Sequence, residues 1–176
     1  MRAGSRRATW RSRAPSTRLS DTPPGARART EAITRAVLRW CLAQGWAPLA
    51  EVPLPDGRRA DVLAIRADGG LVIIEVKSGA RDYLSDAKWG DYAAWCDAFL
   101  FAVDLDFPEA LLPAEPGLLV VAGREAALRR APPEAALAPA RRRALTLRLA
   151  RLAATRLAEA ADPEGAAERR AALRLA

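Results

Sequence analysis

The sequence contains no histidine in its 176 residues. This absence excludes catalytic triads that use imidazole and metal sites with imidazole ligands. General acid–base catalysis is left mainly to carboxylates, lysine and tyrosine. A bound metal would need oxygen ligands, which favour Mg²⁺ or Mn²⁺.

Cysteine and long apolar runs are also scarce. Cys41 and Cys96 lack a metal-ligand spacing, and two thiols in a chain of this length favour a reduced protein over a disulfide. No run of about 18 apolar residues occurs, which excludes a transmembrane helix. Because the N-terminus also lacks the apolar segment of a secretory signal, we expect a cytoplasmic protein without a membrane partner.

Lysine is nearly replaced by arginine. Only Lys77 and Lys88 are lysines among 28 basic residues. Lysine is a compact donor whose pKa can be lowered, whereas arginine is permanently charged. Lysine at these two positions indicates a role that arginine would fill poorly, and the alternative for so few cases is chance.

Positive charge is concentrated at the two ends of the chain. Residues 1–29 carry eight Arg and one acid, and residues 141–176 carry nine Arg and four acids. The middle, residues 30–140, is net acidic. Basic ends favour a polyanionic partner such as nucleic acid, and the alternative is a compositional bias with solvated tails.

The chain divides into three parts. Residues 1–28 are rich in Arg, Ser, Thr, Pro and Gly and are interpreted as a disordered basic arm. Residues 29–163 form one domain, and residues 164–176 a C-terminal helical tail. Apolar periodicity predicts helices over 31–44, 81–96 and 139–161. Thr30 is the expected N-cap of the first helix, and Leu84 is expected in the core.

Five strands are predicted: one over 46–53, one that begins near Asp61, one that ends at Lys77, one over 98–103 and one over 117–122. Residues 126–130 are expected to lead into a loop. This order predicts an α/β fold with a mixed β-sheet flanked by helices, in an αβββαβ core.

The central stretch, residues 59–79, carries the main functional signal. Two apolar strands flank a turn at Asp68-Gly69-Gly70. A hairpin folded there brings Asp61 level with Glu75, and Lys77 projects to the same face as Glu75. Two carboxylates and an ammonium at the edge of an apolar sheet are costly unless a cation or an anionic ligand compensates their charges.

These residues suit a divalent-cation site for phosphodiester hydrolysis. Asp61 and Glu75 would bind Mg²⁺ or Mn²⁺, with the Val76 carbonyl as a further ligand, and Lys77 would orient or deprotonate the attacking water. The alternative is a set of strand-end salt bridges among the same side chains and Arg59.

Other polar residues are assigned around this centre. Glu31 and Glu51 could add second-shell or second-metal carboxylates, although simple surface roles are slightly favoured. Lys88 and Tyr92, four apart on the predicted helix, could contact a phosphate, and Ser78 could donate to the nucleic-acid backbone. Tyr92 could equally be a core residue with a solvated hydroxyl.

The arrangement resembles the PD-(D/E)XK nuclease superfamily, which has the restriction-endonuclease-like fold. Asp61 matches its aspartate and Glu75-Val76-Lys77 its (D/E)-X-K, while Ala60 replaces the proline of its name. More particularly, about residues 30–163 resemble the bacterial MmcB-like DNA repair family. The residues that carry this resemblance are Glu75-Val76-Lys77-Ser78-Gly79, Arg81-Asp82-Tyr83, Asp86, Lys88-Trp89, Tyr92, Cys96-Asp97, Phe99, Phe101-Ala102-Val103, Ala153-Ala154, Arg156-Leu157 and Asp162-Pro163.

The resemblance implies a bacterial cytoplasmic protein, associated with the nucleoid when on DNA, that acts in DNA damage repair as a Mg²⁺-dependent deoxyribonuclease. Gly79 stands where a second small polar residue is expected. The alternative function is a DNA-binding or adaptor module that keeps the fold without cutting, and RNA cleavage is a weaker third. Homodimerisation, which many nucleases of this fold use to cut both strands, stays open.

Overall fold

The computed structural model describes residues 25–85 and 89–175. Its elements in chain order are α1 (Ala26–Ala43), β1 (Ala47–Pro53), β2 (Arg59–Ile65), β3 (Leu71–Lys77), α2 (Ala80–Ser85), a 3₁₀ helix (Trp89–Ala94), β4 (Ala98–Asp104), a 3₁₀ turn (Glu109–Leu111), β5 (Gly117–Ala122), β6 (Glu125–Arg130), α3 (Pro139–Ala161) and α4 (Pro163–Leu175). The predicted basic arm therefore lies outside the described residues except for its last few positions.

The six strands form one sheet in the order β1-β2-β3-β4-β5-β6. β1, β2 and β3 are antiparallel neighbours, β3, β4 and β5 are parallel, and β6 returns antiparallel to β5. This mixed sheet flanked by helices confirms the predicted restriction-endonuclease-like α/β fold.

Each face of the sheet has its own apolar core. On one face α1 buries Ile33, Val37 and Cys41 against the even-numbered residues of β3, such as Ile74. On the other face α3 and the segment around the 3₁₀ helix pack against the odd-numbered residues. β3 is buried along its whole length because both of its faces are covered.

The β2–β3 hairpin has the predicted turn. Gly69 has φ +82°, a conformation that favours glycine, and its N–H donates to the Arg66 carbonyl at 2.9 Å. The Gly70 N–H donates to the Asp68 carboxylate at 2.8 Å. The turn pairs Val62 with Ile74, so the predicted register is correct.

The helix predicted over 81–96 was wrong as a continuous element. The described residues instead form α2 up to Ser85 and a separate 3₁₀ helix that contains Gly90. Glycine weakens a helix interior, and the segment ends in the buried Cys96 rather than in a further helical turn. Leu84 was predicted to be core, which is wrong, because its side chain lies on the exposed side of α2 and is 68% exposed.

Two further details correct the sequence interpretation. Thr30 is not the N-cap of α1, because the helix already begins at Ala26 and the Thr30 hydroxyl donates to the Ala26 carbonyl at 3.0 Å. β6 was missed, because Glu and Ala have low strand propensity and the strand forms only by pairing with the edge of β5.

The C-terminal helices follow the prediction. α3 spans Pro139–Ala161 as expected, with Leu145 and Leu149 buried against the sheet, and α4 forms the tail. The two cysteines are free, as predicted, and they are buried on opposite faces of the sheet. No helix within the described ranges has the length and apolarity needed to cross a membrane.

Candidate active site

Asp61 and Glu75 lie side by side where the β2–β3 ladder ends. The Asp61 N–H donates to Oε1 of Glu75 at 3.2 Å, and the Val76 N–H donates to Oδ2 of Asp61 at 2.8 Å. The Asp61 carboxylate thus continues the hydrogen bonding that β2 no longer supplies to β3. The structure therefore brings together the two carboxylates that the hairpin register predicts.

Glu75 is an acid buried in the protein interior, with 3% of its surface exposed. Burial, and next the neighbouring Asp61 carboxylate, raise the pKa of Glu75 to about 8. The Asp61 N–H, the Lys77 ammonium and a hydrogen bond from the Tyr92 hydroxyl act in the opposite direction. Two carboxylates this close in a desolvated setting favour binding of a cation.

The remaining predicted polar residues of β3 and its surroundings are buried as well. Lys77 is 4% exposed, Ser78 8% and Tyr92 4%. Tyr92 belongs to the core, where its ring stacks on Phe99 with centroids 5.5 Å apart, and its hydroxyl faces Glu75. A phosphate contact by Tyr92 or Ser78 stays a prediction, and Lys88 lies outside the described residues.

The strand pair β1–β2 is irregular beside Asp61. The ladder pairs Ala50 with Val62 and Val52 with Ala60, which leaves Glu51 and Asp61 opposite one another between these pairs. Glu51 has φ +50°, in the left-handed region that non-glycine residues rarely adopt.

This irregularity changes which alternate residues of each strand face the core. Leu49 and Val52 pack in the same core although they are three residues apart, and so do Ala60 and Leu63. In a regular strand, residues two apart share a face. The irregularity at Glu51 and Asp61 therefore lets both strands keep apolar residues in the core before and after these two polar residues.

Arg156 of α3 binds the backbone of β1 at this irregularity. Its guanidinium donates to the carbonyls of Ala50 and Glu51, the latter at 2.9 Å. In the sequence, Arg156 is notable only as one of the residues that carry the family resemblance. Nothing in the sequence distinguishes it from the other arginines of α3, because its role depends on a contact between residues 105 positions apart.

Asp61 opens into a cleft of about 470 Å³, here called the Asp61 cleft, between α1 and the β1–β2 edge. Glu31 and Glu51 both line it, and each is engaged with arginine, so their role as further carboxylates of the site stays a prediction. Glu31 pairs with Arg27 at 3.1 Å and Arg35 at 3.8 Å, and Glu51 pairs with Arg59 at 3.5 Å. The residues lining the cleft are Arg27, Thr30, Glu31, Thr34, Arg35, Ala50, Glu51, Arg59, Asp61 and Arg156.

The donor set fits a Mg²⁺ site that relies on few protein ligands. Within residues 25–85 and 89–175, no three acidic or thiol side chains cluster as a ready-made metal site. Mg²⁺ commonly uses only one or two carboxylates, together with water and substrate phosphates. Asp61 and Glu75 supply two carboxylates, and one oxygen of each accepts a backbone hydrogen bond.

Comparison with known proteins gives two matches. Residues 17–164 match the family described as DNA repair protein MmcB-like. A solved structure of a protein of unknown function from Silicibacter pomeroyi is similar, with a TM-score of 0.75 and 42% sequence identity. That similarity covers 78% of this chain and 94% of the other. No curated protein matches the sequence.

Proposed function

The chain belongs to the MmcB-like DNA repair protein family, and from this membership we propose that it hydrolyses phosphodiester bonds of DNA in the Asp61 cleft. The observation that carries the proposal is the pair of hydrogen bonds joining Asp61 to β3. They hold the Asp61 carboxylate against Glu75, two residues from Lys77 on the same strand face. The family itself gives the chain a role in DNA repair.

Mg²⁺ or Mn²⁺ would be held by Asp61 and Glu75, with the Val76 carbonyl as a third ligand. When bound, such an ion lowers the pKa of a coordinated water and neutralises charge on a phosphate. The protein's own contribution is a rigid and mostly dry setting, since Glu75 and Val76 are both 3% exposed.

Lys77 is the residue proposed to handle the attacking water. In the deprotonated amine form, its Nζ orients the water and takes up the proton that the water loses when its oxygen bonds to phosphorus. One ester P–O bond to a sugar breaks, and the departing oxygen takes a proton from solvent. Lysine suits this role because burial can make it a base, whereas arginine stays protonated.

Tyr92 supports this centre through Glu75. Its hydroxyl donates to the Glu75 carboxylate, which favours the ionised form that a cation needs. Ser78 at the end of β3 and Lys88 are proposed contacts to the phosphates next to the scissile one.

Arginines at the rim of the cleft suit a polyanionic substrate. The side chains of Arg35 and Arg59 are each 60% exposed, and that of Arg27 is 94% exposed. Their ion pairs with Glu31 and Glu51 are solvated and therefore weak, so incoming phosphates can replace these acids at little cost. The acids would then line the path of the DNA without blocking it.

A non-cleaving DNA-binding or adaptor function is the second candidate. It is favoured by the contacts that the site makes without an ion: the Val76 N–H donates to Asp61, and the Asp61 N–H, Lys77 and Tyr92 all stabilise the ionised form of Glu75. A site that is stable in this form could keep the fold and bind DNA without turning over.

The test is a substrate panel of duplex, single-stranded, branched and damaged DNA, with RNA for comparison, in Mg²⁺, Mn²⁺ or chelator. Wild-type protein is compared with Asp61→Asn and Lys77→Met, and with Arg143→Met as a charge-matched control on the exposed side of α3. Thermal melts verify that each variant is folded. We expect metal-dependent cleavage that both site variants lose and the control keeps. Cleavage that survives in both site variants would overturn the proposal, and tight binding without cleavage would favour the adaptor.

A further inference from the structure

A second groove, of about 450 Å³, lies beside the Asp61 cleft between α3 and the end of β1. We call it the α3 groove. Its floor is apolar, with Pro53, Leu147 and Leu152, and its polar side chains are Arg148, Arg151 and Thr155. None of these polar residues has a role in the site described above.

The α3 groove and the Asp61 cleft adjoin one another. Arg156 lines the cleft and Thr155, next to it in α3, lines the groove. Likewise β1 contributes Ala50 to the cleft and Pro53 to the groove. The boundary between the two is the contact in which Arg156 bonds the β1 backbone. A chain that leaves the cleft along α3 therefore passes directly into the groove.

Arg148 and Arg151, like Arg143 elsewhere on the helix, have no partner among the described residues, unlike Arg141, Arg142 and Arg156. Arg142 binds Asp97, and Arg141 donates to the Ala94 carbonyl at 3.1 Å. Within the described part of the chain, Arg148 and Arg151 make no ion pair or hydrogen bond, and both are exposed. The only acid of α3 is Glu159. The groove thus presents uncompensated positive charge above an apolar floor.

The spacing along the helix matches a nucleic-acid backbone. Residues 148, 151 and 155 lie on one side of α3, because they follow i, i+3 and i+7. From Arg148 to Arg156 the helix rises about 12 Å at 1.5 Å per residue. From Arg151 to Arg156 the rise is about 7.5 Å. These two distances correspond to about three to four and about two base steps, at about 3.4 Å each along one strand.

We propose that the α3 groove binds DNA backbone phosphates about two to four nucleotides away from the phosphate in the Asp61 cleft, with Arg148 and Arg151 each contacting one phosphate. The reference to that phosphate rests on the proposed function. Charge complementarity selects DNA over the chain's own N-terminal segment, since residues 1–29 carry eight Arg and one acid. The apolar floor accommodates sugar faces between the two phosphates.

The test measures DNA affinity as a function of salt, in chelator so that no cleavage occurs. Wild-type protein is compared with Arg148→Gln, Arg151→Gln, the double variant, and lysine at either position. Arg143→Gln is the matched control, because Arg143 is exposed on the same helix about 140° around the axis from Arg148. Thermal melts verify folding, which these exposed substitutions leave intact.

Each glutamine variant is expected to reduce the slope of log affinity against log salt by about 0.9, and the double variant by about twice that. Lysine at either position should restore the slope, and Arg143→Gln should not change it. A double variant with the slope of the control overturns the proposal, as does wild-type protein that binds no DNA. If the protein does not cleave DNA but substitution of Arg148 and Arg151 still reduces the slope, only the nuclease proposal is overturned.

Discussion

Arg142 of α3 donates to both carboxylate oxygens of Asp97, with Nη2 to Oδ1 at 2.6 Å and Nη1 to Oδ2 at 2.7 Å. The same carboxylate accepts the N–H of Leu71 at 2.7 Å and the N–H of Leu137 at 2.8 Å. Leu71 begins β3, the strand that carries Glu75 and Lys77. The ion pair therefore fixes the far end of the site strand to α3 and to the start of β4.

Replacing Asp97 should destabilise the protein strongly. Asp97→Asn removes the charge that Arg142 needs and leaves an amide N–H₂ facing donors in a buried position. Loss of one member of such a pair costs about 3–5 kcal/mol when fully buried, and about 2–4 kcal/mol is expected because Arg142 is partly exposed. Urea unfolding followed by circular dichroism measures the change.

Glu134→Gln is the matched control, because it removes an arginine-paired carboxylate whose side chain is 57% exposed. It should cost less than about 1 kcal/mol. Equal costs for the two variants would show that Asp97 contributes no more than a surface pair.

The Asp97 pair also predicts a loss of stability in acid. Burial by itself raises the pKa of Asp97, but hydrogen bonds from Arg142, Leu137 and Leu71 outweigh burial and lower it from 3.8 to about 2. Because the folded pKa is depressed, its contribution is complete above about pH 4 and disappears as the pH falls to about 2. A lowering of this size corresponds to about 2 kcal/mol.

Unfolding free energies measured from pH 5 to 2 should therefore fall more steeply for wild-type protein than for Asp97→Asn. Parallel curves for the two proteins would contradict the assignment. Glu134→Gln again provides the comparison for the general effect of acid on surface pairs.

For the metal-free protein, the raised pKa of Glu75 predicts the opposite dependence of stability on pH. Burial and the Asp61 carboxylate raise the pKa of Glu75 from 4.5 to about 8. Because the folded state holds this proton more tightly than the unfolded state, stability is greatest below about pH 4.5 and declines as the pH rises towards 8. Glu75→Gln removes the buried charge and keeps the oxygen that accepts the Asp61 N–H.

In chelator, Glu75→Gln should therefore be more stable than wild type at pH 8 and similar to it at pH 5. Thermal melts at both pH values measure this, with Glu109→Gln as an exposed carboxylate control. A destabilised Glu75→Gln at pH 8 would show that the ionised carboxylate is satisfied by the protein alone.

The sequence predicts those elements whose determinants are local. Asp68-Gly69-Gly70 sets the β2–β3 register, and the register alone brings Asp61 beside Glu75. Pro139 and Asp162-Pro163 likewise delimit α3. The catalytic roles of Asp61, Glu75 and Lys77 stay predictions, since geometry gives their proximity and not their activity.

Elements determined by distant contacts could not be predicted. β6 depends on pairing with β5, because its own residues favour no strand. The helical signal over 81–96 failed for a related reason: burial of Tyr92 and Cys96 against β4 overrides periodicity. Arg156 and the backbone of Glu51 meet only because α3 packs beside β1.

The backbone of Glu51 offers a direct test of this long-range contact. At φ +50° a residue with a Cβ is strained by about 1 kcal/mol or more, whereas glycine is not. Glu51→Gly and Glu51→Ala both remove the carboxylate that pairs with Arg59, so the difference between them reports the backbone alone.

In an ordinary strand glycine is less stable than alanine by about 0.5–1 kcal/mol. At position 51 the order should reverse, with Glu51→Gly the more stable by about 0.5–1 kcal/mol in urea unfolding. Ala50→Gly, one position earlier in the same strand, supplies the control and should be destabilising. If Glu51→Gly is also less stable than Glu51→Ala, the left-handed backbone conformation of residue 51, which Arg156 contacts, is not a feature of the folded protein in solution.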